Sequence, residues 1–216
     1  MNNAELFEAK PTSQPLPEAS RQVLALQWTE LARAGTWWTA KERIDIAATA
    51  RAASRHTPEP DDTSLDTVTQ RAARMVAADA GNVTKSVVDG FVEEGMSPLR
   101  YVELVGIIAR TTAIDTATLG MGNGLEPYLA PEPGQPSNAV VASAKQRSAW
   151  VPMVGAAGAT SALSAVYAED RAQELLHGAL YLSYAEMGSY TIDKGISRSQ
   201  MELLAARTSL RNHCFF

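Results

Sequence analysis

The chain has 216 residues, 45% of them hydrophobic and 20% charged, enough to bury a real core as one domain or two small ones. Its net charge of -5 gives no electrostatic footprint for nucleic acid, and that partner is set aside. One cysteine excludes an internal disulfide framework, and three scattered histidines beside it have no metal-ligand spacing, so no zinc site is expected.

Abundant alanine, only 6% aromatics and little β-branched alternation predict an all-α fold. No basic-then-apolar leader opens the sequence, so a cytoplasmic protein is expected. Residues 1–18 carry Pro11, Pro15 and Pro17 and read as an extended arm of the kind that packs on a partner subunit. A first helical lobe over 19–125 follows.

Its first helix runs from Glu18 to Ala34, with Val23, Leu24, Leu26, Trp28 and Leu31 near helical spacing and Gly35 closing the pattern. Thr39-x-x-Glu42 has the form of a capping box opening a second helix that lasts to about His56. After an acidic, proline-bearing loop, 68–80 and 83–94 read as two more helices, and Gly95-Met96-Ser97-Pro98 stops one helix and caps the next. The helix over 99–119, with Val102, Val105, Ile108, Thr112 and Ile114 along one side, is expected to be the central core helix. Glu103 and Asp115 on it read as a solvated face rather than pocket acids. The glycines of 120–124 follow a helix and lack a phosphate-binding lysine, so they read as a C-cap and turn.

Residues 126–138 hold four prolines and read as a linker to a second lobe over 139–216. There, 139–149 is expected as a short helix and 169–188 as a long one bearing Leu175, Leu176 and Leu180. Between them the uncharged stretch 150–168 is rich in Ala, Gly, Ser and Thr; it reads as a buried helix rather than a membrane span, which would be dominated by Leu, Ile, Val and Phe. His56 and His177 read as surface or satisfied core histidines, and Trp37, Trp38 and Trp150 as core or interface anchors. A shift of 197 − 39 = 158 residues lays Thr39 and Glu42 on Ser197 and Gln200, and Ile46 on Leu204. The chain therefore reads as two related lobes, the second incomplete.

The closing segment holds the chemistry. Ser197-x-x-Gln200 is a second capping box, which puts Glu202 in a first helical turn. An unbroken helix would separate Glu202 from Cys214 by about 18 Å, so the chain must turn between them. Asn212 offers that turn in a left-handed conformation and can cap a new helix, with Cys214 at its second position, where the dipole favours a thiolate. His213 adjoins the thiol, though adjacent helical side chains diverge.

Glu202, eleven residues and then Cys214, approached through Arg211-Asn212-His213 and followed by Phe215-Phe216, resembles the active-site region of the alkylhydroperoxidase D-like proteins of the carboxymuconolactone decarboxylase family. That pattern sets a glutamate ahead of C-x-x-C-x-x-x-H, of which only the first half falls within residues 1–216. The resemblance implies an alkylhydroperoxidase D-like helical bundle, homo-oligomeric, without bound cofactor. It also implies a small hydroperoxide substrate, a dithiol partner as electron source, Cys214 as the thiol and Glu202 as the start of a proton relay. Because the position of the second redox residue falls just past Phe216, a selenoprotein gene read to its internal stop codon is one expectation. A muconolactone-type decarboxylase and a non-catalytic oligomeric helical module are the alternatives.

Overall fold

The structure is a computed structural model that describes residues 16–212. Among them are seven α-helices: α1 (Glu18–Leu31), α2 (Ala40–Arg55), α3 (Thr67–Ala78), α4 (Lys85–Glu93), α5 (Pro98–Gly120), α6 (Tyr167–Leu180) and α7 (Arg198–Arg211). The rest of the described chain is turns, two short 3-10 turns and isolated bridges at Lys145–Met153 and Asp193–Ser197. The fold is all-α. No helix among the described residues is long and apolar enough to cross a membrane. The expected arm over 1–18 falls almost wholly outside the described residues.

Helix starts follow local chemistry. The Thr39 hydroxyl accepts from the Glu42 amide while the Glu42 carboxylate accepts from the Thr39 amide, so two donors left free by a helix start are satisfied reciprocally. Ser197 and Gln200 repeat this at α7. Asp66, Thr84 and Ser97 cap α3, α4 and α5, with Pro98 in the first turn of α5. Gly95, at φ 107°, supplies the left-handed residue between α4 and α5.

Helix α5 is the axis, touching α1, α2, α3 and α6. Leu24, Trp28 and Leu31 of α1 pack with Ile46 of α2, Phe91 of α4, Leu104, Ile107 and Ile114 of α5, and Leu176 of α6 in one buried cluster. The proline-rich segment runs along the α1–α2 connection, where the amides of Glu132 and Asn138 donate to the carbonyls of Ala32 and Thr36 at 2.7 and 2.8 Å. The Trp28 indole donates to Pro127 O at 3.0 Å.

Three helix expectations beyond residue 138 are corrected. Residues 139–149 are turns and loop, with Val140 and Val141 β-branched, and the buried helix expected over 150–168 is instead loop, turns and the 3-10 turn Ala159–Ser161 as far as the start of α6, with Pro152 and Gly155 (φ 76°) interrupting the run. The helix expected over 169–188 is α6, which begins at Tyr167 and stops at Leu180. There Tyr181 leaves helical geometry (φ −146°, ψ −96°), and the Glu186 carboxylate caps a new turn by accepting from the Ser183 amide at 2.7 Å.

Candidate functional site

Helix α7 precedes the thiol segment in the chain. It ends at Arg211, and Asn212 is its C-cap at φ −89°, so Asn212 closes the helix without the left-handed conformation expected of it. Cys214 and His213 lie outside the described residues. Glu202 is exposed at the fifth residue of α7, just past the first turn expected for it, and its carboxylate accepts from the Tyr181 hydroxyl at 2.5 Å and from Arg198 Nε at 2.7 Å. These bonds, Tyr181 first and then Arg198, hold its carboxyl below the ordinary carboxylate range. The same hydrogen bond raises the Tyr181 phenol. Glu202 is thus a standing anion rather than a ready proton donor.

Along the axis, Glu202 and Arg211 stand about 14 Å apart. Only Met201 of α7 is buried, while Leu203, Leu204 and Leu210 are 60, 57 and 78% exposed. At its far end Thr208 and Asn212 border a groove of about 1570 Å³ whose other walls include Val76 of α3, Ala113 and Thr116 of α5, and Gln173 of α6. Asp79 is the one ionisable side chain among its lining residues.

Deep between α2, α5 and α6 lies a second constellation. Arg43 Nη1 donates to Glu103 Oε1 at 2.6 Å and Glu169 Oε1 at 2.9 Å, and Arg110 Nη2 donates to Glu169 Oε2 at 2.7 Å. Glu103 also accepts from the amides of Thr36 (3.2 Å) and Trp37 (2.6 Å), tying the α1–α2 connection to α5. All four side chains are at most 3% exposed. Burial raises the Glu103 carboxyl, only partly offset by Arg43. At Glu169 burial acts the same way but is outweighed by Arg110 and Arg43, and its carboxyl is lowered. Two positive and two negative charges cancel, so the cluster holds helices together and offers no free group for chemistry.

No protein-family model, curated protein or solved structure matches this chain.

Glu103 and Asp115, expected on a solvated face, are buried: Glu103 in the tetrad, Asp115 in a two-point pair with Arg51 at 2.6 and 2.7 Å. The overlooked signal is that Glu103 and Arg110 are the only charges between Tyr101 and Ile114, seven residues apart on one helical face with Gly106 between. Gly106 is there for close approach, since a Cβ would stand 2.7 Å from Glu169 Cβ and 2.8 Å from its Oε2. Gly106→Ala is expected to cost about 1–3 kcal/mol in urea unfolding by forcing α6 away from α5. Tyr181 was also missed, because its tie to Glu202 spans a loop.

The remaining residues singled out by sequence have structural places. His56 is the exposed left-handed C-cap of α2, and His177 Nδ1 bonds Leu182 O while its ring meets Tyr181 edge-on. Trp38 is core, with its indole donating to Arg100 O and the Arg100 guanidinium 3.6 Å from its ring centre. Trp37 is half-buried and Trp150 is 44% exposed. Gly120 ends α5 and Gly122 (φ 78°) makes the turn after it.

Proposed function

We propose that this chain is a thiol-dependent hydroperoxide reductase of the alkylhydroperoxidase D-like kind, two-lobed, with Cys214 as the nucleophile. The observation that carries the reading is the end of α7. Asn212 caps the helix on the rim of a broad, nearly uncharged groove, and the Cα of Cys214 follows within about 7 Å of chain whatever its conformation. The sequence spacing of Glu202 and Cys214 supports the same reading.

The chemistry balances with one protein thiol and an external dithiol. The Cys214 thiolate attacks the distal oxygen of ROOH, the O–O bond breaks, and the departing alkoxide takes a proton to give ROH, leaving a sulfenic acid. The dithiol then returns the sulfenic acid to the thiol with release of water and is itself oxidised to a disulfide. Glu202 serves as a fixed anion that orients Tyr181. The groove's lack of cationic walls fits a neutral alkyl hydroperoxide better than an acid.

The test is loss of tert-butyl hydroperoxide with dihydrolipoamide as reductant, beside the pH dependence of Cys214 alkylation. Dithiol-dependent turnover with alkylation near neutral pH is expected. An inert chain whose thiol alkylates only above about pH 8 overturns the reading. A non-catalytic oligomeric module is the second reading, favoured by the exposed Leu203, Leu204 and Leu210. It predicts self-association in sedimentation without peroxide turnover.

A further inference from the structure

A separate cavity of about 330 Å³ opens between α4, the first half of α5 and the loop over 149–163. That is roughly the liquid volume of eleven waters and lies at the small end of ligand-pocket sizes. No α7 residue lines it, and of its lining residues only Val105 also borders the groove at the end of α7. Val88, Val105, Met153 and Leu163 form most of its wall, and none of its lining side chains is ionisable apart from the Tyr101 phenol.

The polar side chains of the wall are Tyr101, whose hydroxyl can donate as well as accept, and Trp150, whose indole N–H only donates. Tyr101 is 6% exposed, its ring tilts on Phe91 at 6.0 Å, and its hydroxyl has no hydrogen-bond partner among the described residues. Burial pushes its phenol up to about 12, so it stays protonated at any physiological pH. The Trp150 indole is the second donor, on a residue 44% exposed. An apolar wall with donors and no counter-charge discriminates chemically. It rejects a carboxylate, which would lose hydration without a cation, and an alkane leaves the phenol unpaired.

We infer that this cavity binds a small neutral molecule of roughly ten heavy atoms, an apolar chain or ring ending in a hydrogen-bond acceptor such as a ketone or ester, with Tyr101 donating to that acceptor. The inference does not rest on the thiol chemistry.

2-Decanone and decanoate are the probes, read by tryptophan emission of the full chain, with Trp150→Phe assigning the signal. Saturable binding of the ketone and none of decanoate at the same concentration is expected. Tyr101→Phe, checked for an unchanged urea midpoint, is expected to weaken the ketone about five- to tenfold, the loss of one neutral hydrogen bond. Ala149→Trp, which adds bulk on a half-exposed loop, is expected to abolish binding without depending on the fate of Tyr101. Equal ketone affinity in wild type and Tyr101→Phe, decanoate binding as tight as the ketone, or no saturable binding would each overturn the inference.

Discussion

Glu169→Ala is expected to cost about 3–5 kcal/mol of folding stability. Its carboxylate is the only one that bridges Arg43 and Arg110, and both guanidiniums are 3% exposed. Removing it leaves Arg110 with the Gln27 carbonyl at 3.5 Å and leaves Arg43 with Glu103 and the Glu30 carbonyl. A buried cation without its anion is what makes the cost large; the intact pair itself contributes far less against an apolar replacement. The Nε atoms of Arg43 and Arg110 already lack partners among the described residues, so the cluster has nothing in reserve. Urea unfolding monitored by circular dichroism measures the loss.

The same carboxylate sets a pH signature. The folded Glu169 carboxyl lies below its ordinary 4.5, so its contribution is fully present above that value and is lost as the pH falls through the folded value. The stability gap between wild type and Glu169→Gln is therefore expected to close on acidification below pH 4.5 and to be widest near neutrality. Glu103 has the opposite sign, because its carboxyl is raised by burial and its charged form is the costly one. A gap that stayed constant down to pH 2 would show that Glu169 gains nothing from its two arginines.

Cys214→Ser is expected to abolish dithiol-dependent hydroperoxide turnover, by at least about a thousandfold. A serine hydroxyl is essentially never ionised at neutral pH and cannot pass through the sulfenic acid. Because Cys214 follows the last turn of an exposed helix, the substitution is expected to leave the urea midpoint and the sedimentation behaviour unchanged. Peroxide turnover surviving in Cys214→Ser would place the activity elsewhere.

Much of the first half was legible because its signals are local. Thr39 with Glu42, and Ser197 with Gln200, announce helix starts through bonds made within four residues, and Ser97-Pro98 fixes where α5 begins. The apolar period of α5 correctly named it the central helix. Between Ser137 and α6 the sequence misled. Alanine-rich stretches without a wide apolar stripe resemble helices in composition, yet a helix in a protein is stabilised mainly by burying such a stripe, and 139–158 has none to bury.

The site residues divide in the same way. Glu202 falls on α7 as the cap implied but at its fifth residue, past the first turn expected for it, and its bond to Tyr181 comes from the segment after α6 while Arg198 reaches it from the preceding turn of α7. Glu103 and Asp115 look like surface acids on a helical wheel, because only the arrival of Arg43 from α2 and Arg51 from α2 makes burial affordable.

The sequence by itself therefore determined the all-α class, the capped helix starts and the position of α7 ahead of the only cysteine, since each depends on residues within a few turns of one another. Tertiary structure alone decided that Arg43 of α2, Glu103 and Arg110 of α5 and Glu169 of α6 would meet in the core, and that Tyr101 and Trp150 would share a cavity. Those outcomes depend on which helix faces which, and that is set by the summed burial of the whole core rather than by any local pattern.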